Sequence, residues 1–420
     1  MSTGFGLQRQ TDVYLAGVRG RRPVVPVSFA KLESSARRRM TREAYAYVAG
    51  GAGFEGTIDA NRAAFDRRRI VPRVMRDVSE RDLSVELFGR RLPTPLLLAP
   101  IGVLELVHRD ADLAVAKAAA AEGIPMVFSN QASRSMEECS AAMGAAPRWF
   151  QLYWSTSDDL VASFVRRAEA CGCEAIVVTL DTTLFGWRCR DLDLAHLPFA
   201  VGKGIAQYTS DPVFRSSLRP ARVESAGRPT AKGIRSLFQA TSSYPGGFIG
   251  NLRSGLPIAA VREFLATYSR PSLTWDSLPW LREQTKLPIV LKGVLHPEDA
   301  RLAVEHGVDG IVVSTHGGRQ VDGAIGSLDA LPGVTAAVGG RIPVLLDSGI
   351  RGGADVFKAL ALGASAVLLG RPYVYGLALA GEQGVREVIA NFAAELDLTM
   401  GLAGCRSPAE LGPEHLESVS

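Results

Sequence analysis

The chain has 420 residues, 47% hydrophobic and 21% charged, a globular balance able to bury a large core. Its formal net charge is +4, and short basic clusters such as Arg37-Arg38-Arg39 and Arg67-Arg68-Arg69 read as solvated faces, without the longer stripe and interleaved aromatics that nucleic-acid binding needs. Five cysteines without zinc-type spacing suit reduced thiols in a cytoplasmic protein with no metal site. No apolar run approaches the roughly 20 residues of a membrane span, and the first residues lack the apolar stretch of a signal peptide.

Residues 1–95 read as an N-terminal extension, with a helical stretch at 42–48 before Gly50-Gly51-Ala52-Gly53. From residue 96 a rhythm sets in. Apolar runs fall at 96–100 (LLLAP), 125–130 (PMVFSN), 149–154 (WFQLYW) and 175–182 (AIVVTLDT), then at 288–293 (PIVLKG), 310–316 (GIVVSTH), 343–349 (PVLLDSG) and 366–372 (AVLLGRP). Each is nearly all apolar rather than alternating, the pattern of parallel strands buried on both faces. Between them, 111–122, 158–170 (with Ser157 as N-cap), 297–306 and 352–362 read as helices. Eight βα units in series predict a (β/α)8 TIM barrel within a single domain, its barrel formed by 96–189 and 288–400. Residues 190–287 form a long insertion after the fourth strand, rich in Gly, Pro and Ser (SAGRPTAKG, SSYPGGFIG), and read as a lid-like segment.

In a barrel the site lies at the C-terminal strand ends, and polar residues gather there. They are Gln151 and Tyr153; Thr179 and Asp181, with Arg188 downstream; Lys292; Ser314, Thr315 and His316, with Arg319; Asp347, Gly349 and Arg351; and Gly370 and Arg371. Charged groups inside apolar runs cost several kcal/mol unless paired or used. The last two loops, DSGIRGG and GRP, suit a phosphate held by backbone N–H groups and forked arginines, whether of a cofactor or of a phosphorylated isomerase or lyase substrate. Lys292 either faces a ligand or pairs with a neighbouring Asp. His316 is a structural histidine or a base; Asp181 across the mouth would favour the base, unless it caps a helix or bridges Arg188 or Arg190. Arg188 and Arg319 suit a substrate carboxylate, and Tyr47 and Tyr153 could add phenolic hydrogen bonds.

These residues carry a resemblance. The stretch 314–322 (STHGGRQVD) is similar to the signature S-N-H-G-x-R-Q-x-D, and the match continues through LAPIGV, FQLYW, VTLDT with GWR, LKG, LLDSGIRGGADVFKALALGA and LLGRP. From about residue 29 to 411 the chain resembles the FMN-dependent L-2-hydroxy acid oxidases and dehydrogenases, the group of glycolate oxidase and lactate 2-monooxygenase. The resemblance implies FMN as cofactor, a small 2-hydroxy acid as substrate, O2 as acceptor and a homo-oligomer of four or eight subunits. It implies that His316 takes the substrate proton while the 2-hydrogen, with its electron pair, reaches the flavin. Asp181 then supports the His316 cation; Arg188, Arg319 and Tyr47 hold the carboxylate; and Tyr153 bonds the hydroxyl. Lys292 faces the flavin pyrimidine, and the backbone of Pro100, Ile101 and Gly102 meets the ring. Ser129, Gln151, Thr179 and Ser314 join the cofactor-binding set, and Asp347, Gly349, Arg351, Gly370 and Arg371 carry the ribityl and phosphate. Gly102, the stretch TLDTTLFGWRCRDL and the long insertion look closest to lactate 2-monooxygenase, which oxidatively decarboxylates its product. Thr315 stands where the family has Asn, Thr183 where Pro or Trp is common, and Gln131 where glycolate oxidase has Trp.

Overall fold

The computed structural model describes residues 4–220 and 230–419. Each of the eight apolar runs coincides with one strand, β3 and β5 each extending one residue beyond its run: β1 (Leu96–Leu98), β2 (Met126–Phe128), β3 (Arg148–Leu152), β4 (Ile176–Thr179), β5 (Ile289–Val294), β6 (Gly310–Val313), β7 (Val344–Leu346) and β8 (Ala366–Leu369). They pair in parallel in chain order, and β8 returns to β1 with Leu368 opposite Leu97, closing the (β/α)8 barrel. Leu96, Leu98, Phe128 and Phe150 pack outward against helices, whereas Leu97, Val127, Trp149 and Val177 fill the interior. Burial on both faces is why the runs are continuously apolar. Of the polar residues read at the strand ends, Gln151, Thr179 and Lys292 lie within β3, β4 and β5, and the others stand in the loops above the barrel.

The helices read at 111–122 and 158–170 form as Ala111–Glu122 and Asp158–Ala170; those read at 42–48 and 297–306 differ by one residue at the C-terminal end, and that read at 352–362 is one residue shorter at each end. The Ser157 hydroxyl accepts from the Leu160 N–H at 3.3 Å, capping the latter helix. Before the barrel the chain also forms the helices Phe5–Val18, Phe29–Arg39 and Gly56–Asp66, which the sequence reading did not resolve. Residues 225–229 of the SAGRPTAKG stretch lie outside the described residues. The described part of 190–287 is mostly short helices, among them Ala231–Ser243, Phe248–Ser254 and Leu256–Thr267. An aromatic cluster holds it to the barrel: Tyr208 meets Phe164 edge-on at 5.0 Å and Phe264 at 4.8 Å.

A hairpin, Val85–Leu87 and Arg90–Leu92, closes the floor of the barrel. Its two-residue turn, Phe88-Gly89, has φ of 49° and 75°, the mirror-image turn that matches strand twist. Leu87 and Leu92 are buried against the lower interior residues, and Phe88 packs on Trp149 at 5.4 Å. Leu92→Ala is expected to cost about 2–5 kcal/mol in chemical unfolding, the range for a buried leucine, while leaving cofactor binding at the opposite end unchanged.

Candidate active site

The loops after the strands surround a cleft at the C-terminal end of the barrel. Its walls include one group, Tyr47, Tyr153, Arg188, His316 and Arg319, and a second, Gly349, Arg351, Gly370 and Arg371. Lys292 and the segment from Ala99 to Gly102 also line it. The N-terminal end of the helix Arg371–Ala403 borders the second group, placing backbone N–H groups and a positive helix end beside it.

His316 sits on a turn that few side chains adopt, with φ of 54°, followed by Gly317 and Gly318, both also at positive φ. Such strain persists only where the surroundings over-determine it. Here they do. The Ser348 hydroxyl accepts from Thr315 N–H at 3.3 Å and Gly317 N–H at 2.9 Å, and Ser314 Oγ accepts from His316 N–H at 2.9 Å. Thr315 Oγ1 accepts from Gly318 N–H at 3.2 Å and from the Asn61 amide at 2.8 Å. Thr315 therefore braces the turn from behind.

His316 Nδ1 lies 2.8 Å from Asp181 Oδ1. An ionised carboxylate can only accept, so Nδ1 carries the proton and Nε2 is left as the basic nitrogen. Thr182 Oγ1 bonds the same carboxylate oxygen at 3.0 Å and lies 3.3 Å from Nδ1. Asp181 reaches this position because Gly293, at φ 107°, has no Cβ, which would stand 2.7 Å from the Asp181 Cβ. Burial holds the His316 pKa below its ordinary value despite the opposing pull of Asp181, which keeps the imidazole neutral. Burial pushes the Asp181 carboxyl up, but His316 and Lys292 outweigh it and hold it below the usual range. Lys292 Nζ bonds Ser314 Oγ at 2.8 Å and Asp347 Oδ2 at 3.0 Å. Desolvation opposes its charge, yet Asp347 and Asp181 raise its pKa above the ordinary value, so it stays cationic.

The cationic groups are anchored through backbone carbonyls. Arg319 donates to Tyr47 O and to Gly50 O, the latter at 3.0 Å. Arg188 donates to Arg319 O at 3.2 Å and to the Gln320 amide oxygen at 2.9 Å. Burial and the neighbouring Arg188 push the Arg319 guanidinium down to about 9, and among the described residues neither arginine has a carboxylate at ion-pair distance. Burial likewise pushes the Tyr153 phenol up to about 12 and keeps it a hydrogen-bond donor.

Residues 36–418 match the family described as FMN-dependent dehydrogenase. An L-lactate oxidase of Lysinibacillus sphaericus (strain C3-41) is 42% identical over 396 residues, 94% of each chain. A 4-hydroxymandelate oxidase of Amycolatopsis orientalis is 41% identical over 381 residues, 91% of this chain and 95% of that one. Among solved structures, mandelate oxidase with (S)-4-hydroxymandelic acid superimposes with a TM-score of 0.76 at 38% identity, covering 94% of this chain and 99% of the other.

The chain belongs to the FMN-dependent dehydrogenase family.

It is an FMN-dependent oxidoreductase, and the second group of cations in the cleft fits the FMN phosphate. Arg351 donates to Ile350 O at 2.9 Å and stacks over the Phe29 ring at 4.4 Å; Arg371 donates to Val48 O, Gly317 O and Gly50 O. Among the described residues neither has a carboxylate at ion-pair distance. Burial and mutual repulsion push Arg351 down to about 10, and a dianionic phosphate between the two would relieve both. The loop beneath is fixed: Arg62 bonds Gly349 O and Asp355, and Asp355 also accepts from Arg351 N–H at 2.8 Å. Arg351→Gln is expected to weaken FMN binding at least about tenfold, read by fluorescence titration of the apoprotein, because one charge-assisted contact to phosphate is lost.

Of the residues named from sequence, Asp181, Gln151, Thr179 and Ser314 stand behind the cleft wall. Gln151 accepts from Ser129 Oγ at 3.2 Å and donates to Thr179 Oγ1 at 2.9 Å, so these three form one buried network. The alternative ion pairs for Asp181 are absent among the described residues: Arg190 pairs with Glu55, and Arg188 bonds the Arg319–Gln320 segment. Thr182 and Asn61 were not singled out; Thr182 directly follows Asp181, which was the available signal. No group of three or more His, Cys, Asp or Glu gathers to hold a metal among the described residues, and no helix there is long and apolar enough to cross a membrane.

Proposed function

We propose that the protein oxidises an L-2-hydroxy acid of the lactate type to the 2-oxo acid, with O2 as the electron acceptor. The observation that carries this is a carboxylate-supported histidine in the same cleft as two guanidinium groups that have no ion-pair partner among the described residues. Arg188 and Arg319 bind the substrate carboxylate, with Tyr47 packed under the Arg319 guanidinium at 4.9 Å. Tyr153 donates to the substrate hydroxyl. His316 Nε2 accepts the hydroxyl proton, and Asp181 stabilises the resulting imidazolium. FMN, when bound, supplies the two-electron acceptor, and Lys292 contributes positive charge beside it.

A second reading is supported by Gly102, the stretch Thr179–Leu192 and the long insertion, the features shared with lactate 2-monooxygenase. In it the 2-oxo acid stays in the cleft and is oxidatively decarboxylated. The test is the anaerobic visible spectrum of the purified holoenzyme before and after L-lactate, followed by product analysis in air. Bleaching of the flavin band supports the reaction class. Pyruvate with peroxide supports release, and acetate with CO2 supports the second reading. A band that no 2-hydroxy acid bleaches would overturn both.

A further inference from the structure

Gln131 carries a polar group that neither the protein nor the chemistry just described uses. It is 6% exposed, lines the cleft, and follows β2 by three residues. Its backbone is held on both sides: its N–H donates to Ser129 Oγ at 3.1 Å and its carbonyl accepts from Val103 N–H at 2.9 Å. Its side-chain amide makes no hydrogen bond among the described residues, and Nε2 is buried without a partner. The other glutamine amides around the site are all engaged. Gln151 bonds Thr179, Gln207 accepts from Met136 N–H, and Gln320 donates to Asp181 O and Leu184 O. An unpaired buried amide destabilises a protein, so one held in place at a ligand cleft marks a missing partner.

The position of this amide narrows what the partner is. Gln131 lies against Gly102: a Cβ there would stand 2.9 Å from Gln131 O and 3.0 Å from its Cβ. Phe185 also lines the cleft, stacked on Tyr268 at 5.0 Å and on Phe199 at 6.1 Å, with the Arg188 guanidinium 5.7 Å from its ring. The carboxylate and hydroxyl of a 2-hydroxy acid are already matched by Arg188, Arg319, Tyr153 and His316. What remains for the amide is the substituent on C2.

We propose that Gln131 is a specificity-determining residue and that the preferred substrate is a 2-hydroxy acid whose C2 substituent carries a further neutral hydroxyl or carbonyl group. The methyl of lactate leaves the amide unpaired; a polar substituent satisfies it. This rests on the reading of the reaction given above.

The test is kcat/KM of the FMN holoenzyme on two matched pairs that differ by one hydroxyl: L-2-hydroxybutyrate against (S)-2,4-dihydroxybutyrate, and (S)-mandelate against (S)-4-hydroxymandelate. The hydroxylated member of at least one pair is expected to be favoured by about 10- to 100-fold. Gln131→Met, close in size and unable to make the bond, is expected to bring that ratio to within about threefold; Gln131→Leu serves as a second variant. No discrimination in either pair, or discrimination that survives both variants, overturns the assignment. Weakened FMN binding in Gln131→Met with an unchanged ratio also overturns it, since the amide then serves the cofactor. A flavin that no member of either pair reduces overturns the reaction itself, and this assignment with it.

Discussion

His316→Gln is expected to lower the rate of anaerobic flavin reduction by about 10²–10⁴-fold, the usual contribution of a positioned general base, while FMN stays bound. Glutamine keeps a polar side chain of similar reach, so the Asp181 and Thr182 groups behind it retain a partner. Arg351 and Arg371, the groups proposed for the FMN phosphate, are anchored separately on backbone carbonyls. Rapid-mixing spectroscopy separates the two properties: the oxidised flavin spectrum persists, and its bleaching by substrate slows. A His316→Gln enzyme that reduces its flavin at the normal rate would remove the histidine from the mechanism. The left-handed backbone at residue 316 is braced through Ser348, Ser314 and Thr315, so substitution there is expected to disturb the turn little.

Asp181→Asn is expected to lower flavin reduction by about 10–1000-fold and to move the acid limb of the pH profile. The magnitude follows from the one to three pKa units by which an adjacent carboxylate stabilises a cation. The direction of the pH effect follows from the shifts. The base works when neutral, so kcat/KM falls as pH drops through the His316 pKa. Burial places that pKa below the ordinary histidine value, and the limb is expected below about pH 6.5. Asp181 opposes the burial, so removing its charge sends the limb to still lower pH even as the maximal rate falls. A limb that moves to higher pH would show that Asp181 does not act on His316 as an anion. Gly293→Ala approaches the same carboxylate from behind and is expected to produce a milder version of this phenotype, because its new methyl group meets the Asp181 side chain.

The eight strands were legible because strands of a closed parallel barrel are buried twice, once toward the interior and once toward the helices, leaving no room for polar alternation. Most lining residues were legible for a related reason. A charged or polar group ending an apolar run has few places to be except the barrel mouth, and the stretch 314–322 is specific. The floor hairpin was not legible. Its turn is Phe88-Gly89 rather than Asn-Gly, and each strand is three residues long, so only burial against Trp149 and its neighbours explains why it forms. The helices of 190–287 were obscured by their Gly, Pro and Ser content; packing around Tyr208 and Phe264 overrides those weak local preferences.

By itself the amino-acid order determined the barrel, the face on which chemistry collects and the residue types of that chemistry. Each of these follows from local patterning or from a motif short enough to read along the chain. Only the tertiary structure decided how those residues are paired. It set Asp181 on His316 rather than on Arg188 or Arg190, tied Lys292 to Asp347 and Ser314, and placed Thr182 beside the histidine. It also left the Gln131 amide without a partner beside the cleft. Pairing depends on distances of a few ångströms between loops far apart in sequence, 135 residues for Asp181 and His316. Those distances are set by strand register, by a missing Cβ at Gly293 and by a braced left-handed turn, none of which has a local sequence period.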